Sequence, residues 1–224
     1  MRKTSEGKKH FPSSKRNAQR ISSKDFWADR WQNQNTPWDL AGPHPHLQMV
    51  VDLAKTLGGL SKGAKFSIPG CGRAHDGAQL AKDGYLVIAE DVVERAIAEA
   101  KSQYQTLPGL TLRTGDFFNC PKEDLEAFDA IFDRAMMCAC PKTEHAAFVD
   151  QCAKRLKKGG LFLTLAFQEL NLDAGKEGPP YPISEEELRT LLSRNFEVLY
   201  TELRNDGATG VVVKMELLCV ARKT

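Results

Sequence analysis

At 224 residues the chain is long enough for one sizeable hydrophobic core and short for two. Its formal charge of +2 conceals an asymmetry: residues 1–24 hold eight Lys or Arg against Glu6, a net +7, and the rest is therefore mildly acidic at about −5. That distribution argues against a nucleic-acid footprint spread over the body, and it marks residues 1–24 as a basic, disordered tail ahead of one domain spanning 25–224. The first residues lack an apolar signal core, and no stretch approaches the ~20 apolar residues of a membrane span, so a soluble, cytoplasmic protein is expected. Six cysteines (71, 120, 138, 140, 152 and 219) form no C-x-x-C pair; they read as reduced thiols, and no metal is expected.

The tail gives way to an aromatic segment, FWADRWQNQNTPWDL, and then to a helix expected over Leu47–Leu57. From there the pattern alternates. KFSIP is a short apolar run, AHDGAQLAKDG a helix ended by Gly84, YLVIA a second run, and VVERAIAEAKSQ again a helix. LTLR, DAIF and LFLTLAF continue as strands three to five, with EHAAFVDQCAKRLKKGG between the last two as an amphipathic helix ended by Gly159 and Gly160. Connections this short between strands and helices require right-handed crossovers and a parallel sheet covered on both faces. Ser184 with Glu187 makes a capping box that opens the helix EEELRTLL. Beyond it FEVLYTEL and VVVKMELLCVA are extended runs joined by NDGATG, and so form an antiparallel hairpin. Seven strands with only the last reversed outline an α/β, Rossmann-like methyltransferase sheet with helices on both faces.

In an open parallel sheet, ligands bind beyond the carboxyl ends of the strands where the winding reverses. IPGCGRAHDG stands at that place after the first strand. Gly70 and Gly72 permit a tight turn, but Ala74 and His75 occupy the positions where a pyrophosphate fingerprint has its third glycine. A plain strand-to-helix connection is the alternative. At the tip of the second strand Asp91 falls 19 residues after Gly72, close to the spacing of a ribose-binding carboxylate. Strand alternation turns its neighbour Glu90 the other way, and a helix N-cap is the competing role for Asp91. GDFF at the third tip offers Asp116 to an adenine amine and Phe117 to its ring, or else a turn Asp before two core Phe. The fourth tip carries Asp133 and Arg134, which an ion pair would also explain. His44, His46 and His75 are available as bases, and Cys138 and Cys140 read as core thiols.

Taken together these residues resemble the thiopurine S-methyltransferase superfamily, including its thiol and halide branches. Trp27, Trp31 and Trp38 reproduce the W-x3-W-x6-W pattern, and TPWD, PGCG, GDFF, FDRAMMCACP and GPPYPISEEELRTLL are further family phrases. The resemblance covers nearly everything from Phe26 onward. It implies S-adenosylmethionine as cofactor and a small soft nucleophile, a thiol, bisulfide, halide or thiopurine-like thiol, as acceptor. It makes the three Trp a lid over the cofactor, places the Gly70 turn under its methionine part with Gly72 also cofactor-binding, Asp91 on the ribose, Asp116 and Phe117 on the adenine, Asp133 near the sulfonium, and Arg134 as the catalytic residue facing the acceptor. It further implies a monomer with no nucleic-acid or membrane partner. A cationic sulfonium without phosphate calls for carboxylates and aromatic faces rather than an anion cradle. The alternatives are a nicotinamide-dependent oxidoreductase and a non-catalytic cofactor-binding protein with a basic interaction arm.

Overall fold

The computed structural model describes residues 24–170, 179–205 and 213–224. Nearly all of the expected tail and the NDGATG turn lie outside the described residues; Lys24, taken as the last tail residue, instead opens the first helix, α1 (Lys24–Gln32). Next come α2 (Leu47–Gly58), β1 (Lys65–Pro69), α3 (His75–Lys82), β2 (Leu86–Asp91), α4 (Glu94–Tyr104), β3 (Leu110–Thr114) and β4 (Phe128–Arg134). The one-turn α5 (Met136–Ala139), α6 (His145–Arg155), β5 (Leu156–Leu170), α7 (Glu185–Leu192), β6 (Phe196–Arg204) and β7 (Val213–Lys223) complete the chain. All seven strands join one sheet in the order β3-β2-β1-β4-β5-β7-β6. β7 alone runs against its neighbours, as the hairpin requires.

Four of the five residues of β1 are buried, because helices cover both faces of the sheet. One core gathers Val50, Phe66, Leu80, Val87 and Leu163 beneath α2 and α3. The other gathers Phe128, Phe148, Phe162, Leu188 and Leu217 beneath α6 and α7. The capping box of α7 forms in full: Glu187 N donates to Ser184 Oγ at 3.2 Å and Ser184 N to Glu187 Oε2 at 2.8 Å. The expected stop of α6 at Gly159 is corrected to Arg155. Its last carbonyls are taken by a remote loop, Glu126 N donating to Lys154 O and Ala127 N to Arg155 O, both at 3.0 Å. Leu156 is fully buried and already pairs with Phe128 in the sheet.

Glu90 and Asp91 point to opposite sides, and Glu90 goes inward. Arg155, fully buried, donates to Glu90 Oε1 through Nη1 and to Phe117 O through Nη2 at 2.7 Å, with its guanidinium 4.1 Å from the Phe117 ring centre. Arg113 closes the network on Glu90 and Asp124. A buried charge network of this kind fixes the loop after β3 relative to β2, since losing one partner leaves a buried charge less compensated.

Asp133 is a second correction. It does not reach outward toward a sulfonium. Oδ1 accepts from Met136 N at 3.1 Å and Met137 N at 3.2 Å, and Oδ2 from Thr164 Oγ1 at 2.9 Å, so the side chain ties the turn after β4 to β5. Burial raises its pKa from 3.8 to about 6 against those hydrogen bonds.

Two stability outcomes follow from these buried groups. Arg155→Met, which leaves the buried Glu90 and Asp124 with Arg113 as their remaining cation, is expected to cost about 3 kcal/mol in urea denaturation. Folded Asp133 keeps its proton to about pH 6, whereas an unfolded Asp releases it near pH 3.9. The native state thus binds the extra proton between those values, and the stability this carboxyl contributes is full below the interval and lost as pH rises through it. Asp133→Asn, measured by denaturation at several pH values, should gain about 3 kcal/mol relative to the unsubstituted protein on crossing from below pH 4 to above pH 6.

Candidate active site

The winding of the sheet reverses between β1 and β4, and a cavity of about 430 Å³ opens over their carboxyl ends. The turn after β1 forms its floor. Gly70 has φ +57°, and a Cβ there would meet Met136 Sδ at 2.8 Å, so this position takes glycine for both backbone and space. Ala74 has φ +58° without being glycine, which stores roughly 1–2 kcal/mol of strain in the turn. Three of the N–H groups of the turn are already taken. Cys71 N donates to Glu90 O, Ala74 N to Cys71 O, and Gly72 N to Asp91 Oδ2 at 3.0 Å. A pyrophosphate would find no free backbone donors among these three.

Asp91 is therefore more than a strand-tip acid. Its Oδ1 accepts from Val93 N at 2.9 Å, so one carboxylate bridges the glycine turn and the start of α4, while Val93 occupies the N-cap position itself. Burial raises its pKa and the two N–H donors oppose the rise. Asp116 likewise holds its own loop, accepting from Phe118 N and from Asn119 Nδ2, both at 3.0 Å, and it lines the cavity with Phe117. Phe117 is almost fully buried, with Phe148 at 5.3 Å between ring centres.

The aromatic segment forms the roof. Trp27 and Trp38 meet edge to face with centroids 5.4 Å apart, and Trp31 is buried over Gly72 with the Arg73 guanidinium 4.8 Å from its ring. Arg73, in the turn after β1, clamps the roof through Asp39 and holds Glu99 of α4. All three Trp line the cavity, so they are a roof as well as a hydrophobic cluster.

Arg134, at the tip of β4, faces the same cavity. Its Nη1 donates to Trp38 O at 2.8 Å, the guanidinium lies 5.7 Å from the Phe167 ring centre, and Nε is 4.0 Å from Glu216 Oε1. It pairs with Glu216 instead of Asp133. Nine of the ten residues expected at the site thus share one cavity; Asp133 stands behind the wall. Asp39 and Asp76 also line it and were not singled out in the sequence. Their signal was available in part, since Asp39 belongs to TPWD and Asp76 opens the helix after the glycine turn, at the same sheet edge.

Behind Arg134, His44, His46 and Glu216 form, among the described residues, a buried group with metal-competent atoms within 4.8 Å of one another. His46 N donates to His44 Nδ1 at 3.1 Å, which puts the proton of a neutral His44 ring on Nε2, 3.1 Å from Glu216 Oε2. The two atoms lie close without making a hydrogen bond, and Glu216 stands in turn beside Arg134 Nε. Cys138 and Cys140 line the cavity as thiols: burial pushes Cys138 well above its ordinary pKa and Cys140 up to about 12.

The donor set fits S-adenosylmethionine. Asp91 and Asp116 line the cavity at the tips of β2 and β3, and aromatic faces cover it.

Comparison with known proteins agrees with this chemistry. A family model described as thiopurine S-methyltransferase matches residues 22–211. The chain is similar to a probable thiol methyltransferase 2 of Arabidopsis thaliana, 31% identical over 201 residues that cover 88% of this chain and 84% of the relative. It is similar to a thiopurine S-methyltransferase of Legionella pneumophila, 31% identical over 179 residues, covering 73% and 77%. Among solved structures, the Burkholderia thailandensis 1,6-didemethyltoxoflavin-N1-methyltransferase with bound 1,6-didemethyltoxoflavin and S-adenosylhomocysteine superposes with a TM-score of 0.73 at 16% identity, covering 96% of this chain and 93% of that one. The N-methyltransferase NodS of Bradyrhizobium japonicum, in complex with S-adenosylhomocysteine, does so at 0.67 with 17% identity, covering 89% and 98%. The chain belongs to the thiopurine S-methyltransferase family and is an S-adenosylmethionine-dependent methyltransferase.

Proposed function

We propose that this enzyme methylates a small soft nucleophile, a thiol, bisulfide, halide or thiopurine-like heterocyclic thiol, and that Arg134 is the catalytic residue facing it. The observation that carries the reading is the surroundings of Arg134: a cation on the cavity wall, with Phe167, Cys138 and Pro180 as apolar neighbours in the lining. Apolar walls strip water from a polarisable acceptor, and the guanidinium favours its anionic form. S-adenosylmethionine supplies a methyl group on a positive sulfonium with a neutral thioether as leaving group.

The remaining work falls to the chain. Asp91 is assigned to the ribose hydroxyls, Asp116 and Phe117 to the adenine, and Gly70 and Gly72 to the close backbone approach beneath the methionine part. Trp27, Trp31 and Trp38 exclude water from above. Orientation of two bound reactants is worth about 7–11 kcal/mol of barrier, which leaves little for a strong base to add when the acceptor is already ionised. Thiols with a pKa near 8.5 are partly ionised at neutral pH, and Arg134 increases that fraction. The acceptor is a small molecule, and the enzyme works as a cytoplasmic monomer without nucleic acid or membrane. The mildly acidic body supports this, as does the finding that no helix among the described residues is long and apolar enough to cross a membrane.

The test is a panel of acceptors (benzenethiol, bisulfide, iodide, thiocyanate and 6-mercaptopurine) with release of S-adenosylhomocysteine as the readout. Turnover of at least one is expected. Arg134→Ala should lower kcat/KM for the preferred acceptor about a hundredfold, with Arg134→Lys retaining part of the rate. If both variants keep the full rate, Arg134 has no role in the chemistry.

A further inference from the structure

A protic acceptor must lose a proton before or as its sulfur is methylated, and Arg134 cannot take it. The cavity wall carries four aspartates, and they differ in what already occupies them. Asp91 has one oxygen on Gly72 N and the other on Val93 N. Asp116 is held by Phe118 N and Asn119 Nδ2. Asp39 faces Arg73 and, at 3.6 Å, His75 Nε2. His75 itself is engaged by the Tyr104 hydroxyl at 2.8 Å, and its Nε2 is buried.

Asp76 stands apart. Its Oδ1 accepts from His44 N at 2.7 Å, and the described residues give it no ion pair with Lys or Arg within bonding reach. That bond sets the carboxylate on the cavity wall from two sides, since Asp76 belongs to the first turn of α3 while His44 belongs to the segment that follows the tryptophan roof. Arg134 lines the same cavity and acts electrostatically on Asp76. A thiolate-stabilising cation and a proton acceptor therefore share one wall.

We propose that Asp76 is the catalytic base that removes the proton from a protic methyl acceptor, a small thiol or bisulfide. The inference rests on the acceptor class proposed above and adds a residue to it. The acceptor S–H bond breaks, and its proton passes to the Asp76 carboxylate, which becomes a neutral carboxylic acid. The sulfur lone pair then forms the new S–CH3 bond as the bond between methyl and sulfonium breaks, and that electron pair leaves on the neutral thioether. Asp76 returns the proton to solvent when the products depart. Burial raises the Asp76 pKa above the ordinary carboxylate value, with the His44 N–H and Arg134 opposing the rise, which brings it part of the way toward a thiol.

Acceptors that differ in how tightly they hold a proton supply the test. Benzenethiol is largely ionised in mildly alkaline buffer, and 2-mercaptoethanol is largely protonated there. Asp76→Asn and Asp76→Ser each remove the base and leave an oxygen that accepts the His44 N–H. In both variants the ratio of kcat/KM for benzenethiol to that for 2-mercaptoethanol is expected to rise about a hundredfold over the unsubstituted enzyme. Binding of S-adenosylhomocysteine, measured by calorimetry, is expected to persist. An unchanged ratio overturns the proposal, because a merely structural role lowers both rates together. Loss of S-adenosylhomocysteine binding in both variants also overturns it and assigns Asp76 to holding the His44 segment. If the unsubstituted enzyme methylates neither thiol, the acceptor class falls and takes this role with it.

Discussion

The bridge that Asp91 makes between Gly72 N and Val93 N shapes the floor of the cavity at the sheet edge. A glycine turn between a strand and a helix normally points its N–H groups at an anion. Here the carboxylate of the neighbouring strand takes one of those donors, and the turn takes others for itself. The result is a floor with three of its donors occupied and acids around it, so the same few bonds close the turn and set the charge of the surface beneath the cavity.

The inward partner of Asp91 matters as much. Because strand alternation sends Glu90 to the buried side, it holds Arg155 and, through Arg155, the carbonyl of Phe117. Two adjacent acids thus hold the turn after β1 and the loop after β3, one from the cavity and one from the core. The charges of Glu90, Asp124, Arg113 and Arg155 lie close enough to compensate one another. Burial of any one without its partners is unfavourable.

The sheet was legible because its strands are apolar runs bounded by turn residues, and its order followed from short crossovers and one hairpin. That Glu90 and Asp91 point to opposite sides was legible too, since alternation is a local property. What the sequence hid depends on remote partners. Nothing near Arg155 signals a helix end, because the groups that end it are the N–H donors of Glu126 and Ala127. Asp133 looked outward until Thr164 of the adjacent strand claimed it. The assembly of His44, His46 and Glu216 joins segments about 170 residues apart in sequence, beyond any motif. Asp76 takes its place only once the segment after the tryptophans folds down on it.

The hydrogen bond from Arg134 Nη1 to Trp38 O ties a strand tip to the roof across 96 positions of sequence. Any movement of the tryptophan segment away from the sheet must break that bond, so the position of the roof and the orientation of the guanidinium are coupled through a single contact.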